Sequence, residues 1–200
     1  MISETMTSKT LYHGTTEYNA EKIVNEKKIN IFKPNFPFVY NGVSKLGKKP
    51  GTLGFGAYFF SDINITEKFA KNIDSNFKII EAEVEMSSDS TLDLTDEETL
   101  ALYNIFKEQL SKEPIYAQLT KAFQNSGYQS SLEGIMLEWL VNEPSRKGIT
   151  EVFELEEVSC IKAFTVTNIG TSKKSVLANS VEYCVKTHKH IKELKYYEAV

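Results

Sequence analysis

The chain reads as an α+β protein on three observations. Segments of strand-like alternation lie towards both ends, the clearest at Phe77, Ile79, Ala82, Val84 and Met86. Residues 87–150 between them carry apolar residues at helical spacing instead. An apolar, glycine-bearing run, Thr52 to Phe60, then leads into a helical pattern of its own. Strands with segregated helices define the α+β class.

Residues 1–8 are polar, and Lys9 to His13 reads as a short strand ending at Gly14. Thr15 and Thr16 are placed to cap a helix, and Ala20, Ile23 and Val24 predict that helix over 17–28. Ile29 to Phe32 reads as extended. Lys33 to Gly54 is a long loop with three prolines, four glycines and the cluster Lys45, Lys48 and Lys49. Loops of this length within a domain are usually functional, although a disordered excursion has the same composition. Next come a strand over 55–60, a helix over 65–72 with Thr66 in its first turn, and a strand over 77–86. Ser87 to Ser90 reads as a linker.

Three helices are then predicted. The first holds Leu100, Tyr103, Ile105, Phe106 and Leu110, and the second holds Ile115, Leu119, Ala122 and Phe123 and ends at Gly127. The third holds Leu132, Ile135, Met136, Trp139 and Leu140 and ends near Pro144. The block, about 87–150, reads as a helical insertion within one domain spanning 1–200. Strands return over 150–156, 159–168, 180–187 and 191–197.

Hydrophobic content of 41% and charged content of 25% are ordinary for a soluble globular chain. No stretch is long and apolar enough to span a bilayer, and Met1 to Glu4 shows no signal-peptide pattern. The expected location is cytoplasmic, with no membrane partner. A net charge of −4 argues against a broad nucleic-acid surface but leaves room for a local basic patch. Cys160 and Cys184 lack metal-ligand spacing and read as buried, reduced thiols. His188 and His190, flanking Lys189, read as a solvated edge, so no metal site is expected. Arg146 is the sole arginine, so a bidentate guanidinium clamp on phosphate has one candidate.

Three places hold candidate chemistry. Alternation puts Phe55, Ala57 and Phe59 on one face of a strand and Gly56, Tyr58 and Phe60 on the other. Tyr58 beside Gly56 offers a flat ring for a heteroaromatic ligand, although such a run also suits a core strand. His13, next to Gly14, pairs an imidazole able to bond a sugar hydroxyl with accessible backbone; a structural histidine has the same look. Glu182 alternates with Val181, Tyr183 and Val185, so with Cys184 it faces either solvent or a cleft.

In order and spacing these motifs resemble those of the ADP-ribosyltransferases of the diphtheria-toxin and poly(ADP-ribose) polymerase type, the H-Y-E group. Leu11-Tyr12-His13-Gly14-Thr15 is similar to that group's first motif. Gly54-Phe55-Gly56-Ala57-Tyr58-Phe59-Phe60-Ser61 is similar to its second, and Val181-Glu182-Tyr183-Cys184-Val185 to its third. The likeness covers about 9–86 and 159–197 and leaves 87–150 unaccounted for. It implies a split β-sheet core with a helical insertion, and NAD as co-substrate without a metal.

It implies roles as well. His13, Tyr58 and Glu182 would be catalytic. His13 would hold the adenosine-side ribose, and the Gly14 backbone would bond the nicotinamide amide. Tyr58 and Phe69 would sandwich the nicotinamide ring, with Thr66 on its amide, and Thr15 and Gly56 would complete the binding set. Glu182 would bond the 2′-hydroxyl of the nicotinamide ribose and stabilise an oxocarbenium-like transition state. Strand one offers His13 rather than arginine, and Ser180 stands two residues before Glu182, which disfavours the arginine-specific group of the same fold. RNA 2′-phosphotransferases lean on several arginines, which this chain lacks. The expected partner is a macromolecular acceptor, protein or nucleic acid. Small size and a Lys-, Asn- and Ile-rich coding bias suit a bacterial or phage toxin or effector, which would bring an antitoxin or inhibitor and delivery into a host cytosol. The alternatives are an NAD glycohydrolase and a catalytically inactive NAD- or ADP-ribose-binding module.

Overall fold

Strand β1, Thr7–Thr16, pairs along its whole length with antiparallel β3, Phe77–Met86. Leu11, Ile80, Ala82 and Val84 are buried along that pair, as alternation requires. The computed structural model describes residues 6–33, 49–123, 131–142, 152–155, 157–168, 170 and 177–198. Lys45, Lys48, Gly127, Pro144 and Arg146 fall outside them, and with them most of the long loop predicted over 33–54.

The described residues form a seven-stranded mixed sheet with five α-helices, an α+β architecture. The other strands are β2, Ala57–Phe60; β4, Thr91–Asp93; β5, Cys160–Thr165; β6, Ser180–Val185; and β7, Ile191–Tyr196. Their order is β4-β5-β6-β2-β1-β3-β7, and β4 is parallel to β5 while the other pairs are antiparallel. Edge strand β4 was not predicted, because its three residues lie in a polar run too short to show alternation. The strand predicted over 150–156 is absent from the described residues 152–155. Glu154 there has φ 55, a left-handed conformation that an extended strand cannot contain.

Helix α1, Glu17–Glu26, starts where the Thr16 hydroxyl accepts the Asn19 N–H at 3.3 Å, and ends at Lys27 in the left-handed region. Helix α2, Ile63–Ile73, begins two residues earlier than predicted because the Asp62 carboxylate caps the N–H groups of Asn64 and Ile65. The block after β4 contains α3, Glu97–Leu110; α4, Pro114–Ala122; and α5, Ser131–Asn142.

Two clusters tie this block to the rest. Tyr103, Leu137 and Leu140 pack with Leu92, Ile161 and Cys184 of the sheet. Phe123, Ile135 and Met136 pack with Phe55, just ahead of β2. The helices are therefore a layer of the fold. Leu100, assigned by spacing to an apolar face, is 41% exposed. His190 is buried in a short 3-10 turn rather than on a solvated edge, and Cys160 and Cys184 are free and buried. No helix among the described residues is long and apolar enough to cross a membrane.

Candidate active site

The sheet nearly parts between its two middle strands. β1 and β2 meet at one register pair, Tyr12 opposite Phe60, whereas β2 pairs with β6 from Ala57 opposite Val185 to Phe60 opposite Glu182. In the gap the His13 ring takes over from backbone: its Nδ1–H donates to the Tyr58 carbonyl at 2.8 Å. A carbonyl only accepts, so Nδ1 carries the proton and, in the neutral ring, Nε2 is the acceptor. The parting opens a cavity of about 570 Å³ lined by His13, Gly14, Thr15, Gly56, Tyr58, Phe69 and Glu182, among others. Past His13 and Tyr58 lies a second hollow of about 530 Å³, which shares His13, Thr15, Gly56 and Tyr58 with the first and reaches Asn19, Lys22 and Asn30.

Tyr58 is fixed by its hydroxyl. The hydroxyl accepts the Leu53 N–H at 2.9 Å and donates to the Gly54 carbonyl at 2.8 Å. Burial pushes this phenol well above its usual pKa, so it remains a neutral donor. A Cβ at Gly51 would strike the Tyr58 hydroxyl, and one at Gly54, at φ +86, would strike the Glu138 carboxylate. Those glycines serve the wall of the cavity. Gly56 serves the sheet as well, since a Cβ there would meet Cys184 Sγ at 2.5 Å.

Behind the glycine loop lies a buried ion pair to which no sequence motif points. Lys186, just past β6, spends its three donors on the carbonyls of Leu53 (3.0 Å) and Phe55 (2.9 Å) and on Glu138 Oε1 (2.6 Å). Glu138, on α5, also accepts the Phe55 N–H at 2.6 Å and the Asn142 side-chain amide at 2.9 Å. Burial works against the ammonium, but Cys184 and Glu138 outweigh it and hold its pKa above the usual lysine value. Gly134 lets α5 approach, because any Cβ there would collide with the Gly51 carbonyl. The visible signal was Glu138 itself, a carboxylate between Leu137 and Trp139 within the otherwise apolar run Ile135 to Val141.

Glu182 reaches the cavity from β6 on the same face as Cys184, as alternation predicts. Its Oε1 accepts the Thr167 hydroxyl at 2.8 Å. Burial pushes its carboxyl above the usual value, against the Thr167 hydroxyl bond, with the Thr165 hydroxyl nearby, which favours the ionised form.

Of the remaining predicted residues, Phe69 lines the cavity, its ring 5.2 Å from that of Phe60. Gly14 lines it too, and a Cβ there would meet Ala70 at 2.8 Å and the Thr66 carbonyl at 3.1 Å. Thr66 is fully buried and its hydroxyl donates to the Asp62 carbonyl at 2.7 Å, so it sits behind the wall and helps hold the first turn of α2. Among the described residues no His, Cys, Asp and Glu side chains group as a metal site.

No protein-family model, no curated protein and no solved structure matches the chain.

Proposed function

We propose that the chain is an NAD-dependent ADP-ribosyltransferase of the H-Y-E type, moving ADP-ribose from NAD to a protein or nucleic-acid acceptor with release of nicotinamide. One observation carries the reading: His13, Tyr58 and Glu182, far apart in sequence, line one cavity, and a second lobe shares His13 and Tyr58 with it. Both lobes fall in the range of small-molecule sites, about 300–1,000 Å³. The parting of the sheet between β1 and β2 suits the split core of that fold family. A toxin or effector role, with an antitoxin as partner, rests on the sequence resemblance alone.

In this reading Tyr58 and Phe69 hold the nicotinamide ring, the Gly14 backbone bonds its amide, and His13 with Thr15 and Gly56 lines the passage to the adenosine lobe. Thr66 passes from ligand contact to packing, because its hydroxyl is already bonded within α2. The bond from ribose C1′ to the nicotinamide nitrogen breaks, and nicotinamide leaves with the electron pair as a neutral molecule, so no general acid is required. Positive charge develops on C1′ and the ring oxygen, where the Glu182 carboxylate opposes it. A lone pair of the acceptor then bonds C1′, and the acceptor's proton passes to water.

The test is incubation with NAD labelled in its adenylate half, with and without a cell lysate. Label is expected on a macromolecule. Free ADP-ribose as the sole product would make the chain a glycohydrolase, binding without turnover would make it a recognition module, and failure to bind NAD would end the reading.

A further inference from the structure

Thr167 stands two residues past the end of β5, where the ladder to β6 has stopped. The Asn179 N–H still bonds the Thr165 carbonyl at 2.9 Å. Beyond that point the Asn179 side chain replaces the missing backbone. Its Oδ1 accepts the Thr167 N–H at 2.8 Å and its Nδ2 donates to the Thr167 carbonyl at 2.9 Å. Thr167 is thus held by both backbone groups although no strand continues through it, and it is 5% exposed.

The direction of each hydroxyl bond is set by counting protons. An ionised carboxylate only accepts, so the Thr167 proton goes to Glu182 Oε1. The 2.6 Å contact between Thr167 and Ser180 then needs its proton from Ser180. With that proton used, the 2.8 Å contact between Ser180 and Thr165 needs its proton from Thr165. The three hydroxyls therefore all donate towards the carboxylate, an arrangement in which each bond polarises the next.

We propose that Thr167, clamped by Asn179 and backed by Ser180 and Thr165, is the positioning residue that aims the Glu182 carboxylate into the cavity. It acts through Glu182 and touches no reacting atom; its effect on rate rests on the transferase reading above. A chain of neutral hydroxyls does here what an ammonium could not. It favours the anion without neutralising the charge that the developing cation needs.

The titratable groups facing Glu182 across the cavity are His13 on β1, Tyr58 on β2 and Lys49 ahead of it. Helix α2 presents Phe69 and Ile73 there, and the stretch after β5 presents Val166, Thr167 and Asn168. Since a rate profile would sum over every group that the reaction uses, it would not isolate the carboxyl. The experiment therefore reads the carboxyl directly, by carbon-13 NMR titration of glutamate-labelled protein, with the Glu182 signal assigned by its loss in Glu182→Gln.

Thr167→Val, which removes the hydroxyl and keeps the shape, is expected to move the Glu182 titration to higher pH, and Thr167→Ser to return it. Nicotinamide release is expected to fall roughly ten- to a hundredfold in kcat in Thr167→Val, with KM for NAD little changed, and to recover in Thr167→Ser. Should Thr167→Val fail to fold, Ser180→Ala removes the next donor and shifts the titration in the same direction by less. An unmoved Glu182 titration in a folded variant overturns the proposal. The NMR arm needs no substrate: if the titration moves while wild type releases no nicotinamide, the positioning role stands and the transferase reading falls.

Discussion

Tyr58 and Glu182 face one cavity from neighbouring strands, but different chemistry holds them. The Tyr58 wall is locked by the buried Lys186–Glu138 pair, with side chains 12% and 5% exposed and every Lys186 donor satisfied. The Glu182 wall is held by uncharged hydroxyls and one asparagine. A wall whose task is shape tolerates full charge, because the charges face each other and not the cavity. In the proposed reaction the Glu182 carboxylate opposes developing positive charge and has to remain unpaired, which a neutral support allows. This division assigns the helical block a function in the fold: α5 supplies Glu138 and the Gly134 notch that seat the glycine loop.

The largest effect expected from breaking that contrast is on the charged side. Lys186→Met leaves the Glu138 carboxylate buried without its cation, a change that costs about 3–5 kcal/mol of stability. Denaturant unfolding measures it, and Glu138→Gln together with Lys186→Met should recover part of the loss. A cost below that of an ordinary surface substitution would show that the pair does not lock the wall.

Tyr58→Phe comes next. From sequence alone this change should be mild, because the ring carries any stacking. The hydroxyl bonds to Leu53 and Gly54 change that expectation: phenylalanine strands both groups, at about 1–3 kcal/mol. Thermal unfolding and NAD titration should both register it, with Tyr58→Ala worse for binding. A silent Tyr58→Phe would mean the loop holds its shape without the hydroxyl.

The smallest effect has the opposite sign. Because the folded Glu182 carboxyl titrates above its ordinary value, the native state binds that proton more tightly than the unfolded chain does. Its contribution is fully present below the unfolded value, about pH 4, and is lost as pH rises through the folded value. Glu182→Gln should therefore melt slightly above wild type at pH 8, with the gap closing towards acid. A variant less stable than wild type at pH 8 would show that the ionised carboxylate supports the fold.

Much of this was legible in the chain. β3 has the predicted bounds, 77–86, and buries Ala82, Val84 and Met86 as expected, although Ile80 rather than Phe77 or Ile79 continues that face. The faces of β2 and β6 fall as period two requires, and the cavity gathers six of the seven predicted binding residues together with Glu182. What escaped depends on partners far apart in sequence. Lys186 and Glu138 are 48 residues apart on different elements, and no periodicity joins them. Thr167 was absorbed into a strand predicted over 159–168, and its role appears only where that strand ends early and Asn179 takes over the pairing. Thr66 fitted its motif by spacing, but burial turned its hydroxyl to the helix.

The central claim is that Glu182 stabilises a cation formed as nicotinamide departs. The measurement that tests it most directly is nicotinamide release from NAD by wild type and Glu182→Gln side by side, with NAD binding measured on both. Loss of preorganised charge stabilisation predicts a fall on the order of 10²–10³ in rate, with binding largely retained. Release by Glu182→Gln at the wild-type rate would contradict the account.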